Sequence, residues 1–231
     1  MIKPINFGAR FAYLKALEDH WPTVLTNLKE NAFEVYRRCW KAHPNTTALQ
    51  NLDLLNAAVR RGDGEEFEAV AETLQQWANK YRFLDPWLQD AGIQTMYGWF
   101  LGQNAGKWGY FPEELEIPRL QLPNFGYWIP SYSSWTEFKR IIESMVGIKL
   151  LEYRTTVSRL WGQQKPKLPE HAAWTVRWQL GKSPEGIRNW HRHMTGETVS
   201  VTSVQLAVHA FAESAGITLR TSKAGRRTKK I

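Results

Sequence analysis

One cysteine in 231 residues leaves Cys39 without an intramolecular disulfide partner, and that scarcity fits a reducing compartment. No apolar run approaches the roughly 18 residues that a bilayer span needs. Met1-Ile2-Lys3-Pro4 has no apolar leader behind it, because Lys15, Glu18 and Asp19 arrive too soon. The expectation is a soluble cytoplasmic protein. The patterns of catalysis are missing as well: no phosphate-binding glycine loop, no nucleophile elbow, no dinucleotide fingerprint and no H-E-x-x-H. The acidic runs Glu65-Glu66-Phe67-Glu68 and Glu113-Glu114-x-Glu116 read as a helix start and a loop or edge, not as a catalytic carboxylate pair. His191-x-His193 has no neighbouring cysteine to complete a metal site. The chain reads as a non-enzyme with no cofactor and no metal.

Residues 1–160 lack net charge, holding 18 basic and 18 acidic side chains, whereas residues 161–231 hold 12 Lys/Arg against 4 Asp/Glu. The whole formal charge of +8 therefore belongs to one end. A neutral body with a cationic module points to a polyanionic partner, since phosphate contacts and counterion release dominate nucleic-acid affinity. Hydrophobic content of 43% excludes wholesale disorder, and 12 tryptophans call for burial or a partner surface.

Apolar spacing makes the chain mainly α. Phe11, Leu14, Leu17 and Trp21, then Leu25, Leu28, Ala32, Val35 and Cys39, recur at three and four, with Pro22 breaking the run. Cys39 beside Trp40 reads as an inert packed thiol. His43 to Thr47 is a breaker with an N-cap, followed by a helix through Leu49, Leu52, Leu55, Ala58 and Val59. After the turn Arg61-Gly62-Asp63-Gly64 comes a face of Phe67, Val70, Leu74 and Trp77. Asp85-Pro86 opens the next helix as N-cap and first residue, with Trp87, Ile93, Tyr97 and Phe100 as its buried set. Residues 102–134 are rich in glycine, proline and aromatics and are expected to pack over the helical body, with a short strand or hairpin at Glu114 to Ile117. A long helix runs from Ser134 to about Leu160 through Phe138, Ile141, Ile142, Met145, Ile148 and Leu151.

The expected organisation is a body over residues 1–161, a linker over 162–169, a small helical domain over 170–219 and a basic tail over 220–231. In the small domain, Trp174 and Trp178 share one helical face. Ser183-Pro184-Glu185 starts a second helix, and a polar stretch from His191 to Thr198 leads to a third. Val201, Val204, Val208, Phe211 and Ala215 make one stripe of that third helix, with Gly216 as its stop and Ile217-Thr218-Leu219 as a short strand. The histidines of this region are expected on the surface or against phosphates.

Ser183-Pro184-Glu185-Gly186-Ile187, followed by Val199-Ser200-Val201-Thr202-Ser203-Val204, resembles the helix-turn-helix of bacterial sigma-factor C-terminal regions and related transcriptional regulators. The match covers about fifty residues. It departs from the pattern in a longer joining segment and in Gly186, where the pattern has a helix former. The resemblance implies a recognition helix from Ser200 to Ala215 and a bacterial or phage regulator of transcription. Independently of it, Ser200, Thr202, Ser203, Gln205, Leu206 and His209 would meet bases or phosphates, with Gln205 suited to adenine and Leu206 to a thymine methyl. Lys182, Arg188, Arg220, Lys223, Arg226, Arg227, Lys229 and Lys230 would hold the phosphate backbone. Duplex DNA is expected ahead of RNA, with a homodimer or protein partner on the aromatic body. The alternative is an interaction or assembly adaptor whose basic C-terminus binds RNA or acidic partners nonspecifically.

Overall fold

Breakers along the sequence divide the chain into helices. The computed structural model describes residues 6–103, 106–110, 120, 122, 124, 134–161 and 166–221; these are mainly α-helical and contain no strand. Helix α1 (Phe7–His20) is capped by Asn6, whose side-chain oxygen accepts from the Ala9 N–H at 3.1 Å. Pro22 then separates it from α2 (Thr23–Asn27), which continues through a π-helical turn (Leu28–Ala32) into α3 (Phe33–Ala42). Helix α4 (Leu52–Arg61) starts later than the His43 to Thr47 breaker suggested: its cap is Asn51, which accepts from the Leu54 N–H at 2.8 Å. Thr46 instead closes a local turn by accepting from the Ala48 N–H at 3.1 Å.

Helices α5 (Glu65–Tyr81) and α6 (Pro86–Phe100) follow, and Phe67, Val70, Leu74, Trp77, Trp87 and Ile93 are all buried as their spacing requires. Of the aromatic segment after α6, Trp108 and Tyr110 are described, and both pack on the body. The Trp108 N–H donates to Glu18 Oε1 at 3.0 Å, and the Gly109 N–H donates to Thr95 Oγ1 at 3.0 Å. The hairpin expected at residues 114–117 lies outside the described residues. Helix α7 (Trp135–Trp161) opens on a reciprocal cap in which Ser134 Oγ accepts from the Glu137 N–H and the Glu137 carboxylate accepts from the Ser134 N–H and hydroxyl. Its Ile141, Ile148, Leu150 and Leu151 stay exposed.

The C-terminal region forms α8 (Leu168–Gln179), α9 (Pro184–Thr195) and α10 (Val201–Ala215). It does not stand apart from the body. Ala172 and Val176 of α8, and Phe211, Ala212 and Ala215 of α10, join the same buried cluster as Tyr13, Leu17 and Trp87. Polar ties run alongside: Asn6 N–H to Ser214 O at 2.9 Å, Trp87 Nε1–H to Gly216 O at 2.8 Å, and Arg10 Nε–H to Ala215 O at 3.2 Å. Arg10 is itself buried, and its Nη1 also donates to Tyr110 Oη at 2.9 Å. A cation at the carbonyl end of α10 is where the helix dipole favours one. The boundary read at 162–169 is thus crossed by a shared core.

Candidate nucleic-acid interface

Helices α8, α9 and α10 enclose a second, smaller core of Trp174, Trp178, Ile187, Val204 and Val208. The paired tryptophan face of α8 is the floor of this unit. Ser183 caps α9 by accepting from the Gly186 N–H at 3.1 Å. A Cβ at Gly186 would stand 3.3 Å from that same Ser183 oxygen, so glycine leaves the cap undisturbed.

The polar stretch after Trp190 differs from its expected form. Helix α9 continues to Thr195, and His191 is buried, with its ring edge-on to Trp174 at 5.1 Å. Ile187, Trp190 and His191 therefore share one inward face at spacings of three and four. His193 remains exposed, so the two histidines of His191-x-His193 sit in different environments. Residues 196–200 alone form the connection to α10, beginning at Gly196 with φ +76 in the left-handed region. The join is thus shorter than the stretch from His191 to Thr198 read from sequence, because residues 191–195 continue α9.

Helix α10 begins at Ser200, whose hydroxyl oxygen accepts from the Ser203 N–H at 2.9 Å and lies 2.8 Å from the Ser203 hydroxyl. Both serines thereby contribute to the helix start. Val204, Val208, Phe211 and Ala215 are buried and Val201 is half-buried, which matches the expected stripe. Opposite them Thr202, Gln205, Leu206 and His209 form an exposed ridge, with Leu206 at 67% exposure. Glu213 follows on the same face one turn beyond His209.

His209 packs edge-on against Trp178 at 5.7 Å, which brings the ridge beside the end of α8. That end is held by Thr218 to Arg220, which overlap the short strand expected at Ile217-Thr218-Leu219. No ladder forms; side chains take its place. Gln179 Nε2–H donates to Thr218 O at 2.9 Å, the Arg220 N–H donates to Gln179 Oε1 at 3.1 Å, and Trp178 Nε1–H donates to Arg220 O at 3.2 Å. The Arg220 guanidinium fills the space a Cβ at Gly181 would occupy, next to exposed Lys182. Arg188 is engaged on its own helix, donating to Asn189 Oδ1 at 3.0 Å and pairing with Glu185 at 3.4 Å. Lys223, Arg226, Arg227, Lys229 and Lys230 lie outside the described residues.

Sequence reading missed a feature of the body. A cleft of about 830 Å³ opens beside the π-helical turn, bounded by Lys15, Glu18, Lys29, Glu30, Trp99 and Lys107. Its residues come from four separate segments, and no linear pattern marks them. Among the described residues no three His, Cys, Asp or Glu side chains gather as a metal site, and no helix is long and apolar enough to cross a membrane. Comparison with protein-family models, curated proteins and solved structures finds no match to this chain.

Proposed function

We propose that the chain is a DNA-binding protein of the transcriptional-regulator type, in which α9 and α10 act as a helix-turn-helix and α10 reads the major groove of duplex DNA. The observation that carries this reading is the two-sided character of α10. One side anchors it through Val204, Val208 and Phe211, and the other offers Thr202, Gln205, Leu206 and His209 to the outside. An exposed leucine among hydrogen-bonding side chains suits a surface that meets both base edges and thymine methyls. Glu213 would repel phosphates at the far end of the ridge, which confines base contacts to the first turns, where recognition helices make them. Lys182, Arg220 and the basic tail supply the phosphate-facing charge.

The test is binding of the full-length protein to a randomised duplex pool and to single-stranded RNA across a salt series. Duplex affinity that falls steeply with salt, together with enrichment of particular sequences on selection, supports the reading. Absence of duplex binding at low salt overturns it. A second reading, an assembly protein, draws on α7, whose Ile141, Ile148, Leu150 and Leu151 are exposed along one long helix. Binding to RNA and duplex alike without sequence enrichment would favour it.

A further inference from the structure

Arg177 of α8 lies where three helices meet. Its guanidinium carbon stands 3.7 Å from the ring centroid of Trp190 on α9, and Trp190 also meets His20, the last residue of α1, with ring centroids 5.5 Å apart. The guanidinium thus lies over an indole between the body and the C-terminal helices. Such stacking orients a planar fork and leaves its N–H edges to find acceptors.

It has found none. Arg177 Nε is buried with no hydrogen-bond partner, and no ion pair among the described residues includes this side chain. None of the nearby described carboxylates pairs with it. Asp19, the neighbour of His20 in the chain, is held by Lys15 at 2.9 Å. Glu170, two turns earlier on α8, makes no ion pair with Arg177 among the described residues, and its own Oε1 is buried without a hydrogen-bond partner. His171 and Trp174 of α8 face each other, with ring centroids 5.3 Å apart. Nε, a charged donor withdrawn from water without a partner on an otherwise half-buried side chain, carries a desolvation cost. Burial alone pushes the Arg177 pKa down, and burial followed by the Arg177 charge pushes the His20 pKa down.

We propose that Arg177, seated on Trp190 beside His20, is the anchor of a binding site for a phosphate-type oxyanion. The guanidinium supplies the charge and two or more N–H donors in a fixed plane. His20 adds a hydrogen-bonding ring from a second element. An anion held here bridges α1 to α8 and α9, and so fixes the body against the helices proposed to read DNA. The site does not depend on that reading, because free phosphate and a phosphodiester backbone present the same oxygens.

The experiment follows the Arg177 Nε–Hε and His20 ring resonances of the full-length protein by NMR during titration with inorganic phosphate, with chloride at equal ionic strength as the control. A saturable shift at Arg177, with a rise of the His20 pKa as phosphate binds, is the expected result. R177K should weaken binding about tenfold or more, since an ammonium cannot reproduce the stacked fork, and R177Q should abolish it. Movement of Arg177 with a duplex but not with phosphate would support the site and assign its occupant to the nucleic-acid backbone. Shifts no greater than those in chloride from either phosphate or duplex would overturn the proposal, whatever α10 binds. So would phosphate affinity unchanged in R177Q. The wild-type titration decides the matter even if a variant folds poorly.

Discussion

The Asp85 carboxylate accepts twice from Thr218, from its N–H at 2.8 Å and from its hydroxyl at 2.7 Å. Asp85 precedes α6, and the sequence assigns it to capping that helix; its side chain makes no such cap. A carboxylate bound by two donors from a distant segment gains more than one bonded to its own first turn, where Pro86 already removes one orphan N–H. The bond joins residues 133 apart in the chain and anchors the segment that follows α10.

Asp85→Ala should therefore lower the stability of the whole chain by about 1–2 kcal/mol, measured by chemical denaturation. Thr218→Val should cost less, because the backbone donor survives. A double-mutant cycle should show coupling between them, and strictly additive effects would place the bond outside the stabilising set. Because the core is shared, probes in the body and in α10 should report a single transition. Separate transitions would show that the C-terminal helices unfold independently.

Replacement of Gln205 by Ala should relax sequence preference by about 1–3 kcal/mol for each lost base contact, with little change in salt dependence. Selection from a randomised duplex pool reads this directly. Unchanged ratios among competing sequences would remove Gln205 from base reading.

Gly92 is buried in α6, and a Cβ there would lie 3.0 Å from the Trp77 ring and 3.2 Å from Leu74 Cδ1. The indole cannot readily yield, since its Nε1–H donates to Val24 O at 3.0 Å. Gly92→Ala gains about 1 kcal/mol of helix propensity, yet overpacking of about 1–3 kcal/mol should outweigh it. A raised thermal midpoint would show that the core has room.

Burial pushes the Cys39 thiol up to about 11, with the Glu66 charge adding to the shift. At neutral pH the folded protein should react negligibly with iodoacetamide, and the rate should climb only under alkaline conditions. The folded state holds this proton more tightly than the unfolded state does. Its contribution to stability is therefore complete below the usual value near 9 and is lost as pH rises through about 11. Cys39→Ala should flatten that part of the stability profile, and an unchanged alkaline limb would assign it to other groups.

Helix positions were legible in the sequence because apolar spacing, Pro22, Gly62 and the caps Ser134 and Ser183 act within a few residues of themselves. The two faces of α10 were legible for the same reason: a period of 3.6 separates Val204 and Val208 from Gln205 and Leu206 without reference to the rest of the chain. His191 was not, because a polar residue enters a core only where a specific partner such as Trp174 receives it. Asp85 holds the N-cap position read for it, but the partner of its side chain was not legible, since its acceptor capacity can be spent on its own helix or on Thr218, and only the arrival of the segment after α10 decides which.

By itself, then, the sequence determined an α-helical chain with a neutral body, a cationic end and a helix with one apolar and one polar side. Tertiary structure alone decided that Ala172, Val176, Phe211 and Ala215 close over Tyr13 and Leu17, so that two apparent domains share a core. It also set Arg177 against Trp190 with no ion-pair partner among the described residues. The physical reason is range. Helix formation and capping draw on neighbours along the chain, whereas burial and charge pairing depend on which distant surfaces meet.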